Sequence, residues 1–311
     1  MRAVRFHQYG GPEVLRLEET DEPEAGPGQL LVRTEVIGVT LPAIRKVRGE
    51  GERADLPGTM GGEIAGRVIA LGPEVEGYRI GDRVTALAFA DAYADVVVAP
   101  TMTASRIPDH ASSADAVALV RSGHVALGAL ATARVDPHES LLVTGAASGV
   151  GHLLIQLAKI QGVERVVAAV STAEKAAFLS GLGADDVVTY GEEGWGEPVD
   201  VVLDAVGGDL LPRALAALRP GGRLVFFNSG GGTVSAFDLL SESKTITGFT
   251  VARFARTQRE LYDHHHEYLW QLHRTGRLRP AIYAEVPLAD AETAHRIIET
   301  RTNRGKVILR P

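Results

Sequence analysis

The sequence predicts an α/β chain of two domains, a barrel-like antiparallel β domain followed by a doubly wound parallel sheet. Three observations carry that reading. The first ~100 residues are short apolar strands separated by Gly/Pro turns. From about Ser113 helical and apolar strand segments alternate. Within that region, "SLLVTGAASGVGHLLIQLAK" (Ser140–Lys159) has the pattern of a strand, a tight turn of small residues and a helix. At 311 residues the chain also exceeds the usual size of one domain.

In the first region the candidate strands are Ala3–Phe6, Leu15–Glu19, Gln29–Val39, Glu63–Leu71, Arg83–Ala86 and Tyr93–Val98. Turns such as "EAGPGQ" (Glu24–Gln29) and "YRIGDRV" (Tyr78–Val84) separate some of them. Ala114–Ala133 is a long helical stretch of Ala, Val and Leu. The candidate strands Leu141–Thr144, Arg165–Val170, Asp186–Thr189, Asp200–Asp204, Arg223–Phe227 and Thr245–Thr250 follow it. Helical candidates between them are Val150–Gln161, Ala173–Leu182, Leu210–Leu218 and Ala236–Glu242. The crossover "YGEEGWGEPV" is too short for a full helix, so one helix is expected to be stunted or absent. A polar helix over Arg256–Gly276, then "AIYAEVPLADAETAHRIIETR" and "GKVILRP", return the chain to its first domain. The expected boundaries are 1–115 with 256–311, and 116–255.

Composition narrows the function. Hydrophobic residues at 45% and charged residues at 23% are ordinary for a globular protein. A net charge of −7 argues against nucleic acid or anionic membrane as the main partner. No apolar run approaches the ~18 residues that span a bilayer, and "MRAVRFHQYGGPEVL" lacks the apolar core of a secretory signal. A cytoplasmic location is therefore expected. Without cysteine there is no disulfide, thiolate nucleophile or Cys-ligated metal site. His264, His265 and His266 point about 100° apart on a helix and cannot converge on one ion. His7, His124, His152 and His295 are scattered without ligand spacing.

The turn Gly145–Gly151 carries the strongest chemical signal. Small residues let backbone approach a pyrophosphate, whose charge a helix N-terminus stabilises. Ala146 and Ser148 stand where a G-x-G-x-x-G turn has glycine, and Gly151 holds the third position. A tight strand-to-helix turn needs small residues with or without a ligand, but here further strands and helices of a sheet follow it. After the second strand, "AAVSTAEK" offers Ser171, Thr172 and Lys175 where an NAD site expects a carboxylate. Hydroxyls with a lysine suit a 2′-phosphate, so NADPH is the expected cofactor; capping of the next helix by Ser171 or Thr172 is compatible with that. "NSGGG" (Asn228–Gly232) and "DAVGG" (Asp204–Gly208) end the fifth and fourth strands, on the ligand side of such a sheet, although plain turns explain them equally.

Taken together, the chain resembles a zinc-independent medium-chain dehydrogenase/reductase of the quinone oxidoreductase type. The resemblance runs through "GGPEVLRLEE", "GPGQLLVRTEVIGV", "PGTMGGEIAGRVIALGPEVEGYRIGDRV", "AYADVVVAP", "VTGAASGVG", "GLGADDVVTY", "VDVVLDAVGG", "LRPGGRLVFF" and "GKVIL". It implies a GroES-like catalytic domain, a Rossmann domain, NADPH in the cleft between them, and a homodimer. Ser171, Lys175 and Tyr190 would hold the 2′-phosphate, and Gly149 and Val150 the pyrophosphate. Ser148, Asn228, Ser229, Phe249, Thr250 and Asn303 complete the implied cofactor set.

Zinc members use cysteine and a Gly-His-Glu motif, and this chain reads Gly61-Gly62-Glu63 with no cysteine. Its departures bear on substrate. A common G-V-N-x-x-D-x-Y segment is replaced here, with Thr40, Ala43 and Arg45 at the varied positions. A common "PLxGLTA" is replaced by "LVRSGHVA", which introduces Arg121, Ser122 and His124. The expected activity is NADPH-dependent hydride delivery, without metal, to a quinone, enone or enoyl thioester. Thr40 and Arg45 are the catalytic candidates for steadying an enolate oxygen. A non-catalytic NADPH-binding module and a non-redox biosynthetic enzyme on the same fold remain the alternatives. The segment Thr245–Thr250, rich in β-branched residues and free of Pro and charge, is expected at a sheet edge where a second copy pairs.

Overall fold

Ala3, Val4, Phe6 and Leu15 of the N-terminal strands are buried in the first core. In the computed structural model, which describes residues 1–50, 53, 55–227 and 230–311, β1 (Arg2–Phe6) and β2 (Leu15–Glu19) pair antiparallel, Phe6 opposite Leu15. The chain continues through β3 (Gln29–Gly38), α1 (Leu41–Arg48), β4 (Gly62–Leu71), β5 (Arg83–Ala88), β6 (Val96–Pro100) and β7 (Ser105–Arg106). α2 (Ser113–Ala133) leads to β8 (Ser140–Thr144), α3 (Gly151–Ile160), β9 (Arg165–Val170), α4 (Ala176–Ser180), β10 (Asp186–Thr189) and β11 (Val199–Asp204). Then come α5 (Leu211–Ala216), β12 (Leu218–Phe226), α6 (Ala236–Ser241), β13 (Thr245–Gly248), α7 (Val251–Thr257) and α8 (Arg259–Arg274). β14 (Ile282–Pro287), α9 (Ala291–Glu299) and β15 (Lys306–Arg310) close the chain.

Two units result: Met1–Arg121 with Ile282–Pro311, and Ser122–Ala281. In the first, one sheet has the order β14-β15-β3-β4-β5-β7, and β6 also pairs β3. Only β14 and β15 run parallel in it. Phe6, Leu30, Ile37, Met60, Ile64, Tyr93 and Leu309 are among its fully buried core residues. The expected strand Tyr93–Val98 begins later, at Val96, because Tyr93 turns into the core and its hydroxyl meets His295 Nε2 at 3.2 Å. α1 is not among the elements expected from the sequence. Its signal was present: Thr40 caps it by accepting from the Ala43 N–H, Pro42 lies in its first turn, and Gly49 ends it at φ 74°.

The second unit is a six-stranded all-parallel sheet, β10-β9-β8-β11-β12-β13, the expected 3-2-1-4-5-6 order. No described helix connects β10 to β11, as the short crossover predicted. Trp195 on that connection is buried with Val188, Val199 and Val202, and its indole N–H donates to the Thr189 carbonyl.

The boundaries differ from the sequence reading. The polar helix α8 belongs to the second unit, and the return to the first comes at Ile282. The cause is a buried stripe, His265, Leu269 and Leu272, at helical spacing; Leu269 lies against Gly123 of α2. Gln156 then clasps both backbone groups of Arg279, and His152 Nε2 accepts from the Ala281 N–H. α2 also corrects the search for apolar runs: by length and composition it could cross a membrane, but most of it is buried inside the protein.

Candidate functional site

At the carboxyl end of β8 the chain must reverse sharply into α3. Gly145 takes φ 61°, a left-handed conformation that favours glycine. Ser148 N–H donates to the Gly145 carbonyl, and Ser148 Oγ accepts from Gly151 N–H at 3.0 Å. A Cβ on Gly151 would lie 2.2 Å from the Gly145 carbonyl oxygen, so only glycine permits this approach of helix to turn. That supports the reading of Gly151 as the third position of the motif. The N–H groups of Gly149 and Val150, just ahead of α3, make no hydrogen bond among the described residues. Two donors at a helix N-terminus are suited to a phosphate or pyrophosphate.

Neighbouring strand ends brace this turn. Tyr190, after β10, accepts from Gly145 N–H through its hydroxyl at 2.8 Å. Asp204, fully buried at the end of β11, accepts from Thr144 Oγ1 and from the N–H groups of Val206 and Gly207. The sequence reading noted the Asp204–Gly208 turn but not the aspartate's part in joining β8 to β11. An acidic residue ending an apolar strand was its signal.

At the end of β9, Lys175 Nζ donates to Ser171 Oγ at 3.2 Å. Thr172 occupies the cap position of the following turn, yet its side chain makes no cap bond. The hydroxyl of Ser171 and the ammonium of Lys175 thus meet at one corner, with no carboxylate at Ser171–Ala173. A dianionic phosphate fits that donor set. Phe249 N–H donates to the Phe226 carbonyl, while its ring packs on Gly128 of α2 and on Phe254. Thr250 caps α7 by accepting from Arg253 N–H. Asn228 and Ser229 lie outside the described residues.

The remaining expected residues are in the first unit. Thr40 Oγ1 is the α1 cap, Arg45 on the same helix faces Glu50 at 3.6 Å, and Asn303 Nδ2 donates to the Gly305 carbonyl. A more polarised cluster lies beside them. Glu63 is buried and receives Lys306 Nζ on Oε2 and Arg121 Nη1 on Oε1, each at 2.9 Å. A Cβ on Gly38 would meet Glu63 Oε2 at 2.6 Å and Lys306 Cε at 2.9 Å, so the end of β3 leaves this cluster its room. Burial pushes the Glu63 carboxyl up, but Lys306 and Arg121 outweigh burial and hold it below the ordinary carboxylate range. Burial pushes the Lys306 ammonium down, against the pull of Glu63. The Tyr93 hydroxyl is raised far above its usual value by burial and by the Glu63 charge. Sequence reasoning missed Lys306, although a lysine inside the apolar strand "GKVIL" was a signal of a buried partner.

Known proteins match along the whole chain. Residues 26–143 match the family model described as alcohol dehydrogenase GroES-like domain, and residues 149–265 the one described as zinc-binding dehydrogenase. A quinone oxidoreductase of Pseudomonas aeruginosa is 31% identical over 100% of this chain and 99% of its own. The crystal structure of the Escherichia coli quinone oxidoreductase complexed with NADPH is 30% identical, covers 100% of both chains and has a TM-score of 0.94. A mycobacterial protein complexed with NADPH is 33% identical over 100% of both chains, with a TM-score of 0.93. These matches bear out the GroES-like and Rossmann assignment.

Proposed function

The chain belongs to the quinone oxidoreductase-like family of medium-chain dehydrogenases/reductases, and from that premise we propose that it is an NADPH-dependent reductase of conjugated carbonyl compounds. The observation that carries the reading is the β8–α3 turn, with the Gly149 and Val150 N–H groups free to receive a pyrophosphate. Ser171 and Lys175, with Tyr190 as the further contact the resemblance implies, add the preference for a 2′-phosphate, and the Tyr190 hydroxyl also accepts from the Gly145 N–H. Bound NADPH would supply hydride to the β-carbon of a quinone, enone or enoyl thioester; the alkene pair would then form the bond between the α-carbon and the carbonyl carbon, the carbonyl pair would go to oxygen, and water would protonate the resulting enolate at the α-carbon. Thr40 and Arg45 remain the candidates for steadying that oxygen, the hydroxyl from the start of α1 and the guanidinium from its last turn. The chemistry is read as metal-free, since the chain has no cysteine and Gly62 stands where zinc enzymes have histidine. The reading takes the protein to be cytoplasmic, without nucleic acid or membrane as a partner, on the support of its net charge of −7.

Lys175→Ala tests the cofactor assignment. Loss of one charge-assisted contact is expected to weaken NADPH binding by about 1–3 kcal/mol and to leave NADH binding nearly unchanged. Titration of both cofactors by fluorescence reads it; equal losses would remove Lys175 from the 2′-phosphate site. Turnover of NADPH with a panel of quinones, enones and enoyl thioesters tests the reaction itself, and no oxidation with any of them would refute it.

The reading includes a homodimer. β13 ends its sheet, three of its four residues are exposed, and no described strand pairs its outer side. Phe237 and Leu240 on the preceding α6 are 70% and 74% exposed. A two-fold pairing of this edge would cover both features. Sedimentation at micromolar concentration should give twice the 33.0 kDa chain mass, and the double variant Phe237→Glu, Leu240→Glu should raise the dissociation constant at least about tenfold. A monomer in the parent protein would sink the pairing.

A further inference from the structure

The Glu63 cluster is charged out of balance. One carboxylate faces two cations, and Lys306 alone would neutralise it. Adding Arg121 leaves one positive charge in excess at a site where Glu63 is 2% and Lys306 5% exposed. A cluster serving only to hold strands together gains nothing from that excess, because uncompensated charge in such surroundings is costly. The arginine itself is only half used. Its Nη1 is taken by Glu63, while Nε is buried without a hydrogen-bond partner and Nη2 has none among the described residues. Because Nε is closed to solvent, the two N–H groups of Nη2 are the ones left for an incoming carboxylate. The side chain is 29% exposed, so it is not sealed as the other two are.

The cluster's place in the fold adds direction. Gly38, whose missing side chain makes room for Glu63 and Lys306, is two residues ahead of Thr40 on the same run of chain. The excess charge therefore lies beside the segment that carries both catalytic candidates. Arg121 is also one of the residues by which this chain departs from the common "PLxGLTA" pattern.

We propose that Arg121, oriented by Glu63, is the docking group for a carboxylate on the hydride acceptor, which makes the substrate class an anionic conjugated carbonyl compound. This inference rests on the reductase reading above and refines its substrate. Glu63 holds Nη1 of the guanidinium and leaves Nη2 for the ligand. Lys306 keeps Glu63 ionised, so that the excess charge is retained when the ligand is absent.

The probe is a matched pair, trans-3-benzoylacrylate and its methyl ester, compared at saturating NADPH. The acid should be reduced with a kcat/KM about tenfold or more above that of the ester. Arg121→Met should bring the ratio near one, chiefly through KM of the acid, and Arg121→Lys should restore part of it. A ratio that Arg121→Met does not move overturns the proposal. Binding supplies a second reading that needs no turnover: 3-benzoylpropionate and its methyl ester are titrated calorimetrically into the NADP⁺ complex. Tighter binding of the acid, lost in Arg121→Met, supports docking even if neither acceptor is reduced, in which case the reductase reading alone fails. Reduction of both acceptors with no preference for acid in either assay sinks the docking role and leaves the reductase reading standing.

Discussion

Lowering the pH from 7 to 5 is expected to remove about 4 kcal/mol of stability against urea through two buried histidines. His124 on α2 is fully buried, with its ring 3.8 Å from that of Tyr262 and nearly parallel to it, and neither ring nitrogen has a partner. Burial first, then His266, His265 and Arg259 from α8, push its pKa down to about 2. His295 on α9 is equally buried against Tyr93, and burial pushes it down to about 4, with Glu299 acting weakly the other way. Both rings therefore stay neutral in the folded protein at pH 5, while in the unfolded chain they take up protons below about 6.5. The unfolded state then binds more protons, so stability is whole above that value and falls as the pH drops towards the folded pKa values. Each ring contributes about 2 kcal/mol of loss between pH 7 and 5. His265 and His266, also lowered by burial, act in the same direction. The depressed carboxylates contribute only further down, below their unfolded values. Urea unfolding of the parent and of His124→Phe, which keeps a ring on Tyr262, at both pH values checks this. The variant should lose about half as much as the parent; an unchanged difference would remove His124 as the cause.

Those histidines show what a linear reading of the chain could and could not provide. Strand order in the second unit was legible because helices join the strands β8 to β13 everywhere but between β10 and β11, and handed crossovers leave few arrangements. The turn at Gly145–Gly151 was legible because close backbone approach restricts residue type at fixed spacing. α1 was accessible too, since Thr40 and Pro42 mark a helix start. Other features depend on contacts far apart in sequence. Nothing local says that Gln156 will clasp Arg279 and keep α8 in the second unit. Likewise His124 carries no ligand spacing, and its place against Tyr262 and His266 follows only once α2 and α8 are packed together. The Arg121–Glu63–Lys306 cluster draws on three separate segments, and nothing in any one of them says that the three side chains meet.

Glu63→Ala is expected to destabilise the protein by about 3–5 kcal/mol, the usual loss when one member of a buried ion cluster is removed. Lys306 would keep its ammonium inside the first unit at 5% exposure, with Arg121 beside it and no carboxylate between them. Two cations in a poorly solvated place repel, and Lys306 would shed its proton at a lower pH than in the parent. The loss should therefore be largest at acidic pH, where the lysine is forced to stay charged. Glu63→Gln preserves volume and a hydrogen-bond acceptor but not the charge, so it should cost less than alanine and retain the same pH trend. Removing the partner as well separates charge from packing. In Glu63→Gln, Lys306→Met the buried ammonium is gone, and the double variant should recover about 1–3 kcal/mol relative to Glu63→Gln alone. Denaturant unfolding of the single and double variants between pH 6 and 9 measures each term. A cost below about 1 kcal/mol for Glu63→Ala would mean that water reaches the cluster and that Lys306 is not confined by it.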